Sequence, residues 1–96
     1  MEEVWFMKLR YSRVAIQDLE GIREYIAKDN PRSAWVVASF IRRSIHVLER
    51  WPYHGRATNQ KGVRRLVVTN YPYAVYYRIT KPAVEILAVR HTARDL

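Results

Sequence analysis

Two amphipathic helix patterns meet at the segment Asp29-Asn30-Pro31. The residue before a proline avoids the helical region of backbone space, whereas asparagine caps helices well and proline suits the first helical position. The segment therefore predicts the end of one helix and the immediate start of another. Because the connection is so short, we expect the two helices to form a hairpin.

The first helix is predicted from about residue 13 to residue 28, because apolar side chains recur there at steps of three and four. These side chains are Ala15, Leu19, Ile22 and Ile26. Ser12 precedes the pattern and is a suitable N-cap. The alternation in Lys8-Leu9-Arg10-Tyr11 predicts a short strand before it, with residues 1–6 as an N-terminal extension.

The second helix is predicted from about residue 31 to residue 50, where Trp51-Pro52 ends it. Residues 52–62 show no periodicity and predict a loop. Three strand patterns follow over residues 63–69, 73–79 and 84–90, joined by connections of hairpin length. The last of them is apolar at consecutive positions, which predicts an internal strand covered on both faces.

This order of elements, β-α-α-β-β-β, predicts an α+β fold. The helical hairpin is expected to pack on one face of a mainly antiparallel four-stranded sheet, leaving the other face for function or for a partner. A chain of 96 residues supports one hydrophobic core, so residues 1–96 are interpreted as a single domain.

The charge distribution favours a polyanionic partner. The chain carries 17 Lys and Arg against 9 Asp and Glu, a net charge of +8. Residues 31–96 hold twelve of the basic side chains and three of the acidic ones. Arginine binds phosphate and carboxylate through its planar fork, so nucleic acid or an acidic protein would suit this surface. A basic protein whose charge serves only solubility is the alternative.

Several classes of protein are excluded by composition. The chain has no cysteine and three separated histidines, so neither a disulfide scaffold nor a metal site is expected. No catalytic triad, glycine-rich phosphate loop or paired carboxylates can be identified, and no cofactor is expected. The first residues lack the features of a signal peptide and no apolar run reaches membrane-spanning length, which predicts a soluble, cytoplasmic protein.

A cluster of basic and aromatic residues on the sheet is the candidate site. Strand pairing is expected to bring together Arg64, Arg65, Tyr76, Tyr77, Arg78, Arg90, His91 and Arg94. If Leu66 and Val68 face the helices, alternation places Arg65 on the open face and leaves Arg64 a rim or structural position.

Such a cluster is sufficient in principle for RNA cleavage without a metal. His91 or Tyr76 would move protons, while Arg65 and Arg94 would hold the phosphate and stabilise its charge. The alternatives are ordinary ones: a surface histidine, tyrosines that pack in the core, and arginines that form salt bridges to a partner.

Five segments also carry a family resemblance: residues 22–31, 52–56, 63–68, 73–79 and 84–95. Their order and spacing resemble the RelE/ParE superfamily of toxins from bacterial type II toxin-antitoxin systems, over about residues 7–95. The resemblance implies the fold predicted above. It also implies a growth-inhibiting toxin in a heteromeric complex, neutralised by a cognate antitoxin whose C-terminal segment wraps it.

Two mechanisms occur in that superfamily. RelE-like members cleave mRNA in the ribosomal A site, whereas ParE-like members poison DNA gyrase and are not enzymes. The RelE-like pattern uses basic residues on the second strand and an arginine just after the tyrosine that opens the third. Arg65 meets the first requirement, but Ala74 occupies the second position.

The resemblance, together with the long helical hairpin, therefore implies a ParE-like gyrase poison. Arg65, His91 and Arg94 would then bind the target or the antitoxin. A ribosome-dependent mRNA interferase and a basic nucleic-acid-binding module are the alternatives.

Overall fold

The computed structural model describes residues 6–93 of the chain. In this part the elements follow the order β1 (Lys8–Tyr11), α1 (Arg13–Ala27), α2 (Pro31–Arg50), β2 (Arg56–Ala57), β3 (Arg64–Val67), β4 (Tyr73–Ile79) and β5 (Ala83–His91). The helices and the longer strands lie where the sequence predicts them. The predictions for residues 1–5 and for Arg94 lie outside the described residues.

The strands form one sheet in the order β1-β5-β4-β3-β2. β1 pairs with β5 in parallel, and the other three pairs are antiparallel. One hydrophobic core joins the helical stripes to the sheet; its most deeply buried members are Ala15, Ile41, Ile45, Leu48, Val75, Tyr77, Val84 and Ile86. The predicted α+β architecture is therefore confirmed, and β5 is an internal strand.

The number of strands is larger than predicted. Residues 52–62 are not all loop, because Arg56 and Ala57 pair with Arg65 and Arg64 of β3. Thr58 closes the turn beyond them with its amide and its hydroxyl, both bonded to the carbonyl of Val63 at 3.0 and 2.8 Å. A strand of two residues is too short to show an alternating pattern, so periodicity gives no sign of it.

Both helices begin at the predicted N-caps. The Ser12 hydroxyl accepts a hydrogen bond from the amide of Ala15 at 3.0 Å and donates one to the carbonyl of Leu87 at 2.9 Å. The Asn30 side chain accepts from the amide of Ser33 at 3.1 Å. Ser12 therefore caps α1 and also joins it to β5, whereas Asn30 acts only within its own turn.

We expect Ser12→Ala to lower the free energy of unfolding by about 2 kcal/mol and Asn30→Ala by about 1 kcal/mol. Each substitution removes a cap, but only the first also leaves a carbonyl of β5 without its hydroxyl donor. Urea unfolding of the two variants measures the difference. Equal losses would show that the bond from Ser12 to Leu87 adds nothing to stability.

Two features are absent from the described residues. Among residues 6–93, neither helix is both long and apolar enough to cross a membrane. The same residues include no group of three or more His, Asp or Glu side chains placed to hold a metal ion.

Candidate functional site

The two faces of β4 have different surroundings. Tyr73, Val75 and Tyr77 belong to the hydrophobic core under the helices. Because side chains alternate along a strand, Tyr76 and Arg78 lie on the opposite side, which we call the open face. The open face is where the sequence placed the candidate cluster.

Arg65 and Tyr76 form a pair on this face. They are direct partners across β3 and β4. The Arg65 Nε donates a hydrogen bond to the Tyr76 hydroxyl at 3.1 Å, and its guanidinium lies 5.9 Å from the centre of the tyrosine ring. Leu66 and Val68 are buried toward the helices, so Arg65 emerges on the open face as alternation predicts.

Arg64 points the other way and has a structural position. Its Nε and Nη2 donate to the carbonyl of Gly55 at 3.1 and 2.7 Å. Its guanidinium also lies 5.2 Å from the centre of the Tyr53 ring. Arg64 therefore fixes the segment between α2 and β2, which agrees with the rim or structural position that the sequence leaves for it.

Tyr77 is a core residue and not a member of the open-face cluster. Its side chain is fully buried, and its hydroxyl donates to the carbonyl of Pro52 at 2.7 Å while accepting from the amide of Gly55 at 2.9 Å. The alternation of β4 places its side chain among the apolar residues of the core. Together with Arg64, Tyr77 anchors residues 52–55 to the sheet.

His91 is not brought to the Arg65 and Tyr76 pair. It is the partner of Tyr73 across β4 and β5, and the two rings meet edge to face with their centres 5.3 Å apart. Its Nδ1 accepts a hydrogen bond from the amide of Ala93 at 3.1 Å. Tyr73 lies three residues from Tyr76, about 10 Å along the strand, and on the opposite side.

Two further cations of the predicted cluster, Arg78 and Arg90, have local acidic partners. Arg78 forms an ion pair with Glu85 at 3.0 Å, and Arg90 lies 3.7 Å from the carboxylate of Asp18. Asp18 also accepts the amide of Val89 at 2.9 Å, beyond the point where β1 ends. These residues consolidate the sheet and its contact with α1.

Two neighbouring depressions lie beside β2 and the segment that precedes it, and little in the sequence indicates them. One, with a volume of about 600 Å³, is lined by residues that include His54, Arg56 and Arg65. The other, of about 320 Å³, is lined by Trp51, Tyr53 and His54. His54 borders both, so we treat them as one feature and call it the aromatic-arginine trough. The signal available in the sequence was the absence of acidic residues from Arg50 to Val84.

A groove of about 550 Å³ runs between the outer sides of α1 and α2. We call it the helical groove; its lining includes the exposed apolar side chains Ile16 and Trp35. Burial raises the pKa of Tyr11 at its border, and the Glu20 carboxylate raises the pKa of its ion-pair partner Arg23. Trp35 lies off the helical stripe that packs on the sheet, so it is available to a partner.

This fold and the basic surface agree with the RelE/ParE-type toxin that the sequence resembles. A family model described as the ParE toxin of the type II toxin-antitoxin system parDE matches residues 9–96. The chain belongs to this family. It is thus the toxin component of a type II toxin-antitoxin system, and a cognate antitoxin is its partner.

Individual relatives agree with the family. The chain is 37% identical to the putative toxin Y4kP of Sinorhizobium fredii over 84 residues, covering 88% of this chain and 86% of the relative. It is 34% identical to toxin RelE2 of Caulobacter vibrioides over 80 residues, covering 83% of this chain and 89% of that protein.

Solved structures share the fold. The chromosomal ParDE system of P. aeruginosa matches with a TM-score of 0.81 and 25% identity, over 90% of this chain and 96% of that one. The RelBE2 toxin-antitoxin complex of Mycobacterium tuberculosis matches with a TM-score of 0.61 and 24% identity, over 95% and 97% of the two chains. The second match concerns the fold alone.

Proposed function

We propose that this toxin arrests growth by poisoning DNA gyrase, as the ParE resemblance implies, and that it is not itself an enzyme. The observation that carries the proposal is the position of His91. Metal-independent RNA cleavage needs a proton carrier within hydrogen-bond reach of the reacting oxygens. His91 instead meets the Tyr73 ring edge to face, on the side of the sheet opposite to Arg65 and Tyr76.

Ala74 supports the same conclusion. It is fully buried between Val67 and Arg90, its partners on the neighbouring strands. The RelE-like nuclease pattern has an arginine at this point of the third predicted strand. A methyl group offers nothing to the negative charge that develops on a phosphorane.

The comparisons favour a ParE-like toxin, but they do not distinguish gyrase from ribosome-bound mRNA as the target. The matching family model is that of ParE, and the P. aeruginosa ParDE structure is more similar in fold than the M. tuberculosis RelBE2 complex. A relative named RelE2 is nevertheless 34% identical. The names of relatives therefore support a ParE-like mechanism less strongly than the geometry of the site does.

The direct test is a gyrase assay with the full chain freed from its antitoxin. We expect the toxin to stop gyrase from supercoiling relaxed plasmid and to cause gyrase-cleaved DNA to accumulate. Adding the antitoxin first should prevent both effects. Gyrase that keeps its full supercoiling activity in excess toxin would contradict the proposal. A parallel reaction with mRNA-programmed ribosomes should yield no cuts.

The mRNA interferase remains the second candidate because Arg65 and Tyr76 form a hydrogen-bonded pair on the open face. If ribosomes programmed with mRNA are cut at the A site, we expect Arg65→Ala and Tyr76→Phe each to reduce the cutting rate by about 10². Arg78→Ala is the control, since Arg78 is on the same face but paired with Glu85. Equal losses in all three variants would leave the pair without a special role.

We propose the helical groove as the place where the antitoxin's C-terminal segment binds. Ile16 and Trp35 form an exposed apolar surface beside the ion pair of Glu20 and Arg23, which suits an amphipathic segment. Large aromatic side chains in such grooves often dominate the binding free energy.

We therefore expect Trp35→Ala to weaken the toxin-antitoxin complex by at least about 10-fold, as measured by calorimetric titration. Val67→Ala is the control, because Val67 is exposed on the open face. The opposite result, with Val67 sensitive and Trp35 insensitive, would place the antitoxin segment on the open face of the sheet.

A further inference from the structure

The part of the chain that builds β2, β3 and β4 carries charge of one sign. From Arg50 to Val84 the sequence has seven basic residues and no acidic one. Within residues 6–93, the recorded ion pairs involve other cations and leave out Arg50, Arg56, Arg64 and Arg65. The surface around the aromatic-arginine trough is therefore positively charged, which attracts polyanions.

Two of these arginines are held side by side. Arg56 and Arg65 are direct partners across β2 and β3, and both line the larger depression of the trough. Like charges directly opposite each other in a sheet destabilise it. An anion bound between them would relieve that repulsion, and a phosphate matches the planar guanidinium groups in geometry as well as in charge.

The other part of the trough is aromatic. Trp51 and Tyr53 are 58% and 64% exposed, and with His54 they line the smaller depression. The guanidinium of Arg50 lies 5.4 Å from the centre of the Trp51 ring, and that of Arg64 lies 5.2 Å from the centre of the Tyr53 ring. Exposed rings next to cations are the elements on which nucleic-acid bases stack.

The segment that presents these rings is fixed in place. The amide of Trp51 bonds to the carbonyl of Val47 at 2.9 Å, and the amide of His54 bonds to the carbonyl of Trp51 at 3.0 Å. The buried hydroxyl of Tyr77 anchors Pro52 and Gly55. Because little freedom is left to lose, a ligand binds here without a large entropic cost of ordering the loop.

We propose that the aromatic-arginine trough is a binding site for single-stranded nucleic acid. Bases stack on Trp51 and Tyr53, and the backbone phosphates contact Arg56 and Arg65. Arginines and aromatic rings occur in protein interfaces as well. The absence of acidic residues from Arg50 to Val84, which leaves the positive charge around the trough uncompensated, is what favours a polyanion. The site is separate from the helical groove, and the proposal does not depend on gyrase.

The test measures fluorescence anisotropy of labelled oligothymidine and oligouridine, each of about ten nucleotides, with the purified full chain. Variants are compared at one salt concentration, and the parent and Arg56→Ala are also titrated over a series of salt concentrations. We expect Trp51→Ala and Tyr53→Ala each to weaken binding by about 10-fold, and Trp51→Phe to retain most of the affinity. Arg56→Ala should reduce the slope of log affinity against log salt by about 1. Tyr25→Ala, at a tyrosine of similar exposure on α1, should leave binding unchanged.

Thermal unfolding of each variant verifies that the fold persists. Equal affinity for the two oligonucleotides would indicate a site that accepts any single strand. A higher affinity for one of them would identify DNA or RNA as the preferred ligand. Both results support the proposal. If Tyr25→Ala weakens binding as much as Trp51→Ala and Tyr53→Ala do, or if no variant weakens it, the binding is diffuse and electrostatic, and the proposal is overturned. Absence of binding, with Trp51→Ala impairing gyrase inhibition, would reassign the surface to a protein partner and also overturn it.

Because the binding assay contains no gyrase, its failure leaves the gyrase proposal standing. Conversely, gyrase that is unaffected by the toxin says nothing against binding of a single strand. The two proposals therefore fail independently.

Discussion

Gly55→Ala is expected to lower the free energy of unfolding by about 2 to 3 kcal/mol, because the added methyl group would enter space that is already filled. A Cβ at this position would lie 2.7 Å from the Tyr77 hydroxyl oxygen and 2.8 Å from the Arg65 carbonyl oxygen. Neither atom moves easily, because one belongs to a buried ring and the other to the backbone of β3. In a chain of this size the melting temperature should fall by about 10 to 20 °C.

Gly21→Ala is the matched control. No atom lies within 4 Å of a Cβ built at Gly21, which is exposed in the middle of α1. Alanine is the better helix former, so this variant should be more stable than the parent by about 0.5 to 1 kcal/mol. Urea unfolding of both variants is the measurement. A stable Gly55→Ala protein would mean that the segment before β2 shifts freely, contrary to the anchoring described above.

Tyr77→Phe is the second large effect, with an expected loss of about 2 to 3 kcal/mol. The substitution removes one oxygen from a fully buried side chain and leaves the amide of Gly55 and the carbonyl of Pro52 without their partner. An unsatisfied buried polar group costs about 1 to 3 kcal/mol. The same change at the exposed Tyr53 should cost less than about 0.5 kcal/mol and is the control.

The two substitutions should not be additive, because the Tyr77 hydroxyl is also the atom closest to the added methyl group of Gly55→Ala. In a double-mutant cycle, we expect Gly55→Ala to cost about 1 kcal/mol less in the Tyr77→Phe background. Strict additivity would show that the contacts with the Arg65 carbonyl oxygen and the Tyr77 ring carbon Cε1, each at 2.8 Å, and not the contact with the hydroxyl, are responsible for the cost.

The helical half of the fold was predictable from the sequence because period and capping agree there. The stripe through Ala15 and Leu19, the caps Ser12 and Asn30, and the break before Pro31 all indicate the same boundaries. The β2 strand was not predictable, because its two residues are specified by pairing with β3 and by the turn at Thr58, which are tertiary contacts.

The part of the candidate site on β3 and β4 was predictable, but the position of His91 was not, because the pairing of β4 with β5 is irregular. Alternation along β3 and β4 places Arg65 beside Tyr76. Between β4 and β5 the pairing shifts, since Tyr77 pairs with Ile86 while Tyr76 pairs with Ala88, so Leu87 is an extra residue. An extra residue moves every later side chain of a strand to the other face. The side chain of His91 therefore lies on the face of the sheet that the helices cover. The sequence does not indicate this, because nothing in the residue types of β5 marks Leu87 as an extra residue.

The position of β5 in the sheet also determines when the toxin fold can be completed during synthesis of the chain. β5 lies between β4 and β1, which is the first strand of residues 6–93. Until the ribosome has made β5, β1 has no neighbour with which to pair and the helices have no complete sheet to cover. Contacts between segments so distant in sequence also form slowly. The growing chain therefore cannot complete the toxin fold until β5 has been made.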